Sequence, residues 1–277
     1  MSDDAGVVPQ PPEIPPELAG PPAPPVPTWR ESLRRLFAPL IAVGAFFAKF
    51  GAVLLKLKAF TVVGSMAVSV VAYASIWGWK YAVGFVLLIL VHEMGHVIAL
   101  RQMGIKAGAP VFLPFLGAFV AVKESPKNVY QEAQSALAGP ILGTVGAFAV
   151  LAASHYTGSN LLRAIAFTGF FINLFNLLPA LPLDGGRVAG ALHPGVWVVG
   201  LVALLVYEFY RPSPVVLIIL VVGGFELWRR WRGRNTEAAR TYHSLLPGQR
   251  MRIGVAYVGL AIVLVYALHA TYIPRSL

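Results

Sequence analysis

The stretch Tyr81-Ala-Val-Gly-Phe-Val-Leu-Leu-Ile-Leu-Val91, followed by His92-Glu93-Met94-Gly95-His96 and then Val97-Ile-Ala-Leu100, decides how this chain reads. The apolar run continues on both sides of the polar cluster and is long enough for a helix that crosses hydrocarbon. On a helix, positions 92 and 96 lie one turn apart on one face, so both imidazoles can bind a single zinc ion. Glu93 reaches the same side of that metal and can serve as a general base toward an attacking water. Ionisable groups inside a membrane span are costly and read as functional. The combination implies peptide hydrolysis inside or beside a bilayer.

Composition supports a membrane setting. Of 277 residues, 57% are hydrophobic and only 12% are charged, about half the charged share of soluble domains. The absence of cysteine excludes disulfides and thiolate metal sites, so any zinc must be held by His, Asp or Glu. The net charge of +10 argues only weakly for nucleic acid, and none is expected as a partner, because many basic residues lie in short loops between apolar runs.

Outward from the motif, the chain is expected to be an all-α polytopic membrane protein. It should have six to eight transmembrane helices and one short membrane-associated β-hairpin. Residues 1–36 hold a Pro-rich tail, expected to be disordered and without a secretory signal, because proline removes backbone donors and favours extended chain. Residues 37–228 form the membrane domain. Within it, 37–55 are either a first span or an interfacial helix, with Pro39 and Lys49 inside. Spans are expected at 59–79, 81–103, 131–153 and 161–178. Residues 108–122 hold two prolines, Gly117 and many β-branched or aromatic residues, which favours a hairpin or re-entrant loop. Two short apolar runs fill 195–228 around Arg211-Pro-Ser-Pro214. Residues 229–252 carry seven arginines and form the main polar loop, and 253–277 hold a last span. The positive-inside rule makes the 229–252 loop cytoplasmic. Counting back, the zinc helix runs from outside to inside, and His96 lies ~10 Å below the cytoplasmic surface.

A zinc site of this type needs a third protein ligand and one open position. No third His follows His96 at the spacing of the metzincins. Asp184 is an acidic residue in a span broken by Pro179 and Pro182, followed by two glycines that permit close backbone approach. Glu124 and Glu132 are alternative third ligands by residue type.

The pair His92-Glu93-Met94-Gly95-His96 and Asn176-Leu-Leu-Pro-Ala-Leu-Pro-Leu-Asp184-Gly185-Gly186-Arg187 resembles the site-2 protease family of intramembrane zinc metalloproteases. The small-residue span beginning Ala138-Gly139-Pro140 is similar to that family's central helix, and 108–122 to its membrane hairpin. The resemblance covers roughly 59–190. It implies a Zn2+ cofactor held by His92, His96 and Asp184, with Glu93 as general base. It also implies a catalytic or substrate-binding role for Asn176, otherwise a cap of the broken helix. Implied partners are transmembrane protein substrates, which must unwind locally because the carbonyls of an intact helix are already bonded and shielded. With no transit peptide at its start, the chain is expected in a prokaryotic plasma membrane. The chain is expected to be a compact member, without a PDZ-sized insertion or a CBS-sized tail. Two other classes compete: a silent membrane scaffold, against which Glu93 speaks, and a transporter, against which the lack of an obvious inverted repeat speaks.

The remaining polar residues read as structural. Asn173 is taken as packing polarity. Glu226 and Arg230, four apart, should form a helix-surface ion pair. His155, His193 and His269 fall near span ends, and Trp77, Trp79, Trp228 and Trp231 fit an interfacial aromatic belt.

Overall fold

A computed structural model of the chain describes residues 60–193, 195–233 and 235–272. The expected tail at 1–36 and the ambiguous segment at 37–55 lie outside the described residues.

Helix α1 (Phe60–Trp77) leads into α2 (Trp79–Gln102) through Gly78 alone. Gly78 has φ 80°, in the left-handed region that favours glycine. The two helices fold back on each other, with the Tyr73 and Trp77 rings against Phe85. Two strands follow, β1 (Ala107–Leu113) and β2 (Gly117–Val122), paired antiparallel with Val111 opposite Phe119 and Leu113 opposite Gly117. The hairpin is fastened to α1: the Phe112 N–H donates to Ser65 Oγ at 3.2 Å, and the Phe115 N–H to the Tyr73 hydroxyl at 3.0 Å. These bonds satisfy backbone groups that hydrocarbon would leave unpaired.

Helix α3 (Val129–Thr157) starts at Asn128, whose side chain accepts the Gln131 N–H, and stops at Gly158 in the left-handed conformation. Ser159 caps α4 (Asn160–Asn176) in the same way. The segment with Pro179 and Pro182 is non-helical, as proline requires. Then come α5 (Asp184–Leu192), α6 (Gly195–Tyr210), α7 (Pro214–Gly233), α8 (Glu237–Tyr242) and α9 (Pro247–Thr271). The expected polar loop at 229–252 is thus partly helical. Helix α7 runs through its first residues, and α9 begins at Pro247, because proline fits the first turn, where its missing N–H is not needed.

Helix α3 is the hub, touching α2, α4, α5 and α9. Its approach to α2 requires glycine: a Cβ on Gly95 would sit 2.2 Å from the Ala138 carbonyl oxygen. Small residues are the means by which helices pack closely in hydrocarbon, where apolar burial gives no drive. Phe170, fully buried, centres the main apolar cluster of α3, α4, α5 and α9.

Among the described residues, three helices are long and apolar enough to cross a membrane: α2, α3 and α9. Helix α9 leaves Val255, Val258, Ile262 and Val265 exposed, with only 17% of its apolar stretch buried against 56% for α2. Such apolar surface is not what water-facing helices carry. The chain reads as a mostly helical integral membrane protein with a small hairpin.

Candidate metal centre

Helical spacing puts His92 and His96 side by side on α2, with ring centroids 4.9 Å apart. Each ring is fixed by its Nδ1. His96 Nδ1 lies 2.8 Å from the Ser135 carbonyl of α3, which can only accept, so this nitrogen carries the proton. His92 Nδ1 lies 2.8 Å from Asn173 Oδ1. The Asn173 amide is itself oriented, because its Nδ2 donates to the Gly169 carbonyl at 2.7 Å. Its oxygen therefore faces His92 as an acceptor, and His92 Nδ1 also carries its proton. In neutral rings both Nε2 atoms then present lone pairs.

Asp184 meets those lone pairs from the other side. Its Oδ2 is 3.2 Å from His92 Nε2 and 3.3 Å from His96 Nε2, and the two Nε2 atoms are 3.2 Å apart. A shared proton satisfies one such contact; a cation among the three atoms satisfies all of them. Among the described residues this is the group of His and carboxylate side chains able to hold one metal ion. Gly139 of α3 forms the floor: a Cβ there would lie 2.2 Å from His96 Nε2 and 2.9 Å from His92 Nε2.

The placement of Asp184 comes from the broken segment. Gly185 and Gly186 let the first turn of α5 rest on the backbone of residues 177–181, since a Cβ on Gly185 would meet the Leu177 carbonyl oxygen at 2.1 Å. The Tyr257 hydroxyl of α9 donates to the Leu177 carbonyl, and the Trp197 indole of α6 donates to the Gly186 carbonyl. Helix α5 has no side-chain cap and only nine residues, too few to persist without such contacts.

A cavity of about 1160 Å³ opens onto this cluster. Glu93, buried, lines it beside His92, His96 and Asp184. Asn176 lines it too, with its Nδ2 donating to the Ile172 carbonyl at 3.0 Å. The outer walls are β2 and the facing sides of α6 and α7. The structure thus brings His92, Glu93, His96, Asn176 and Asp184 to one cavity. It does not bring the alternative ligands there: Glu124 is exposed ahead of α3, and Glu132 pairs with Arg230 and Tyr242. Asn173, expected to be mere packing polarity, orients His92. The signal was available, since an amide in the middle of an apolar helix needs a partner.

Comparison with known proteins bears on the same residues. Residues 80–166 match the model of peptidase family M50. Over that segment the chain is similar to the site-2 protease family. MJ0392 of Methanocaldococcus jannaschii is 30% identical over 120 residues, 40% of this chain and 34% of its own length. Rip3 of Mycobacterium tuberculosis is 29% identical over 131 residues, 43% of this chain and 33% of its own. The chloroplastic EGY2 of Arabidopsis thaliana is 29% identical over 148 residues, 37% of this chain and 26% of its own. The words zinc metalloprotease stand in all three names. The chain spans about a third of the length of the first of these relatives. The site-2 protease match takes in His92, Glu93, His96 and Gly139 but ends before Asn173 and Asp184, whose part in the cluster rests on geometry.

Proposed function

We propose that this chain is an intramembrane zinc metalloendopeptidase that cleaves locally unwound transmembrane segments of membrane proteins. The observation that carries the reading is the convergence of His92 Nε2, His96 Nε2 and Asp184 Oδ2 at 3.2–3.3 Å on the cavity that Glu93 lines. Zinc–ligand bonds of ~2.0–2.1 Å in a tetrahedron imply ligand separations of about 3.3 Å, which these atoms match. Two imidazoles and one carboxylate form a donor set suited to zinc and leave the fourth position open. When bound, zinc would polarise a peptide carbonyl and bring the pKa of water toward ~7.

The protein's own groups supply the rest. Glu93 takes the proton of the attacking water and returns it to the leaving amine. Asn176 uses one amide hydrogen on Ile172 and has a second to offer to the carbonyl oxygen as charge develops there. Asn173 and Ser135 keep both imidazoles in the tautomer that binds metal.

An intact substrate helix cannot react, since its carbonyls are already bonded and shielded. An extended segment can pair with the edge of β2. Among the described residues that strand pairs only with β1, and it borders the cavity. The proposal includes six to eight spans in a prokaryotic plasma membrane; the arginines in 229–252 support a site reached from the cytoplasm.

The test uses full-length protein in detergent. Parent protein should hold one zinc, Asp184→Ala should lose it, and Glu93→Gln should keep it while losing cleavage of membrane substrates. Metal retained in Asp184→Ala would overturn the ligand set. Cleavage retained in Glu93→Gln would overturn the mechanism. Fragments absent from Glu93→Gln membranes but present with the parent would name the substrates.

A further inference from the structure

Glu132 is a buried carboxylate that this chemistry does not use. It lies on α3 three residues before Ser135, whose carbonyl holds His96. Glu132 Oε1 accepts from Arg230 Nη2 at 3.0 Å, and Oε2 accepts from the Tyr242 hydroxyl at 2.8 Å. Burial first, and then the Glu132 charge, hold the Tyr242 phenol above its usual range, so it remains a donor. Arg230, near the end of α7, gives its Nε–H to Glu226 at 3.0 Å, and its guanidinium stands 5.3 Å from the centroid of the Trp197 ring. Trp197 in turn donates to the Gly186 carbonyl, two residues after Asp184. The helix α5 leaves room for that indole only at glycine: a Cβ on Gly190 would lie 2.6 Å from Trp197 Cζ2.

One guanidinium therefore touches two arms. One arm ends on the α3 turn that orients His96. The other passes through a single indole to the α5 turn that carries Asp184. We propose that Arg230 is a positioning residue for the metal centre, holding the Asp184 helix and the His96-bearing turn in register through Trp197 and Glu132; this rests on the metal reading above. A partly buried ion pair is weak support for stability, because desolvation offsets much of its attraction. The role fits arginine and not lysine, since only a planar guanidinium stacks on an indole while donating to two carboxylates at fixed angles.

The test measures zinc affinity of full-length, metal-stripped protein in detergent, by competition with a chelator. The absorption band of the Co2+-loaded form serves as a reporter of the ligand set. Partners that orient ligands change metal affinity by roughly 10–100-fold. Arg230→Lys should weaken zinc about tenfold and shift the cobalt band, despite keeping the charge. Trp197→Phe keeps the ring under the guanidinium and removes only the N–H donor; it should also weaken zinc. Combining Trp197→Phe with Glu132→Gln should cost less than the sum of the single effects, as expected of groups in one network. Parent-like zinc affinity in monodisperse Arg230→Lys overturns the proposal, even if its thermal stability falls, because the pair then only clamps α7 to α3. If Arg230→Lys does not fold, Trp197→Phe decides by the same readout. The metal reading fails separately: it falls if the parent binds no zinc, whereas zinc bound by the parent and lost in Asp184→Ala, with Arg230→Lys unchanged, sinks the positioning role alone.

Discussion

The two sides of the candidate metal cluster are built differently. Helix α2 delivers both imidazoles and Glu93 from five consecutive residues of a regular helix whose apolar stretch is more than half buried. Asp184 comes from a nine-residue helix after a proline-broken segment, held by Tyr257, Trp197 and two glycines that take the place of side chains. On the first side, helical periodicity brings the ligands together. On the second, tertiary contacts do so, and any of several distant residues can loosen it. The α2 side should therefore be sensitive at the reacting groups themselves, and the Asp184 side at residues that never touch substrate.

The largest effect should come from Glu93→Gln on the regular side. Cleavage should fall by about 10²–10⁴-fold with zinc retained, measured as turnover of a membrane substrate and metal content of the same sample. A variant that lost metal as well would mean Glu93 belongs to the ligand set, and the contrast would have to be redrawn.

Asn173 and Asn176 sharpen the comparison, since they sit on one helix three residues apart. Asn173→Ala should weaken zinc binding by roughly 10–100-fold, because His92 loses the acceptor that fixes its ring. Asn176→Ala should leave zinc affinity at the parent value and slow cleavage, because its amide faces the cavity and not a ligand. Identical readouts from both variants would remove the distinction.

Gly139→Ala probes the floor under both rings. The added methyl would meet His96 Nε2 at 2.2 Å, so the α2–α3 contact must open. Overpacking of this kind costs about 1–3 kcal/mol, and zinc affinity should fall with it. Thermal unfolding in detergent and metal titration check the two together. The smallest effect should be Tyr257→Phe, which removes one hydrogen bond to the Leu177 carbonyl on the stapled side. It should cost about 1 kcal/mol of stability. A loss as large as that of Gly139→Ala would make α9 a main support of the Asp184 side.

Much of the fold could be read before any coordinates. The strong helices, the break at Pro179 and Pro182, and the hairpin at 107–122 all follow from apolar run length and proline chemistry. The ends of α7 and α9 could not, because both helices continue into arginine-rich sequence that a hydropathy reading assigns to a loop. Glu226 and Arg230 do pair as their spacing suggests, but Arg230 also reaches Glu132, a contact no local spacing encodes.

His92, Glu93 and His96 share a helical face because α-helical geometry repeats every 3.6 residues, and that much belongs to the sequence alone. Which carboxylate joins them is a different matter. Asp184, Glu124 and Glu132 are of suitable type; within the sequence only the resemblance of the motif around Asp184 favours one of them, and distance along the chain does not. Packing ranks them: glycines at 95, 139, 185 and 186 allow backbones to close in on the cluster, and Arg230 and Tyr242 engage Glu132 elsewhere. The orientation of each ring is likewise set by an amide on α4 and a carbonyl on α3, partners that only the folded chain brings within hydrogen-bonding reach.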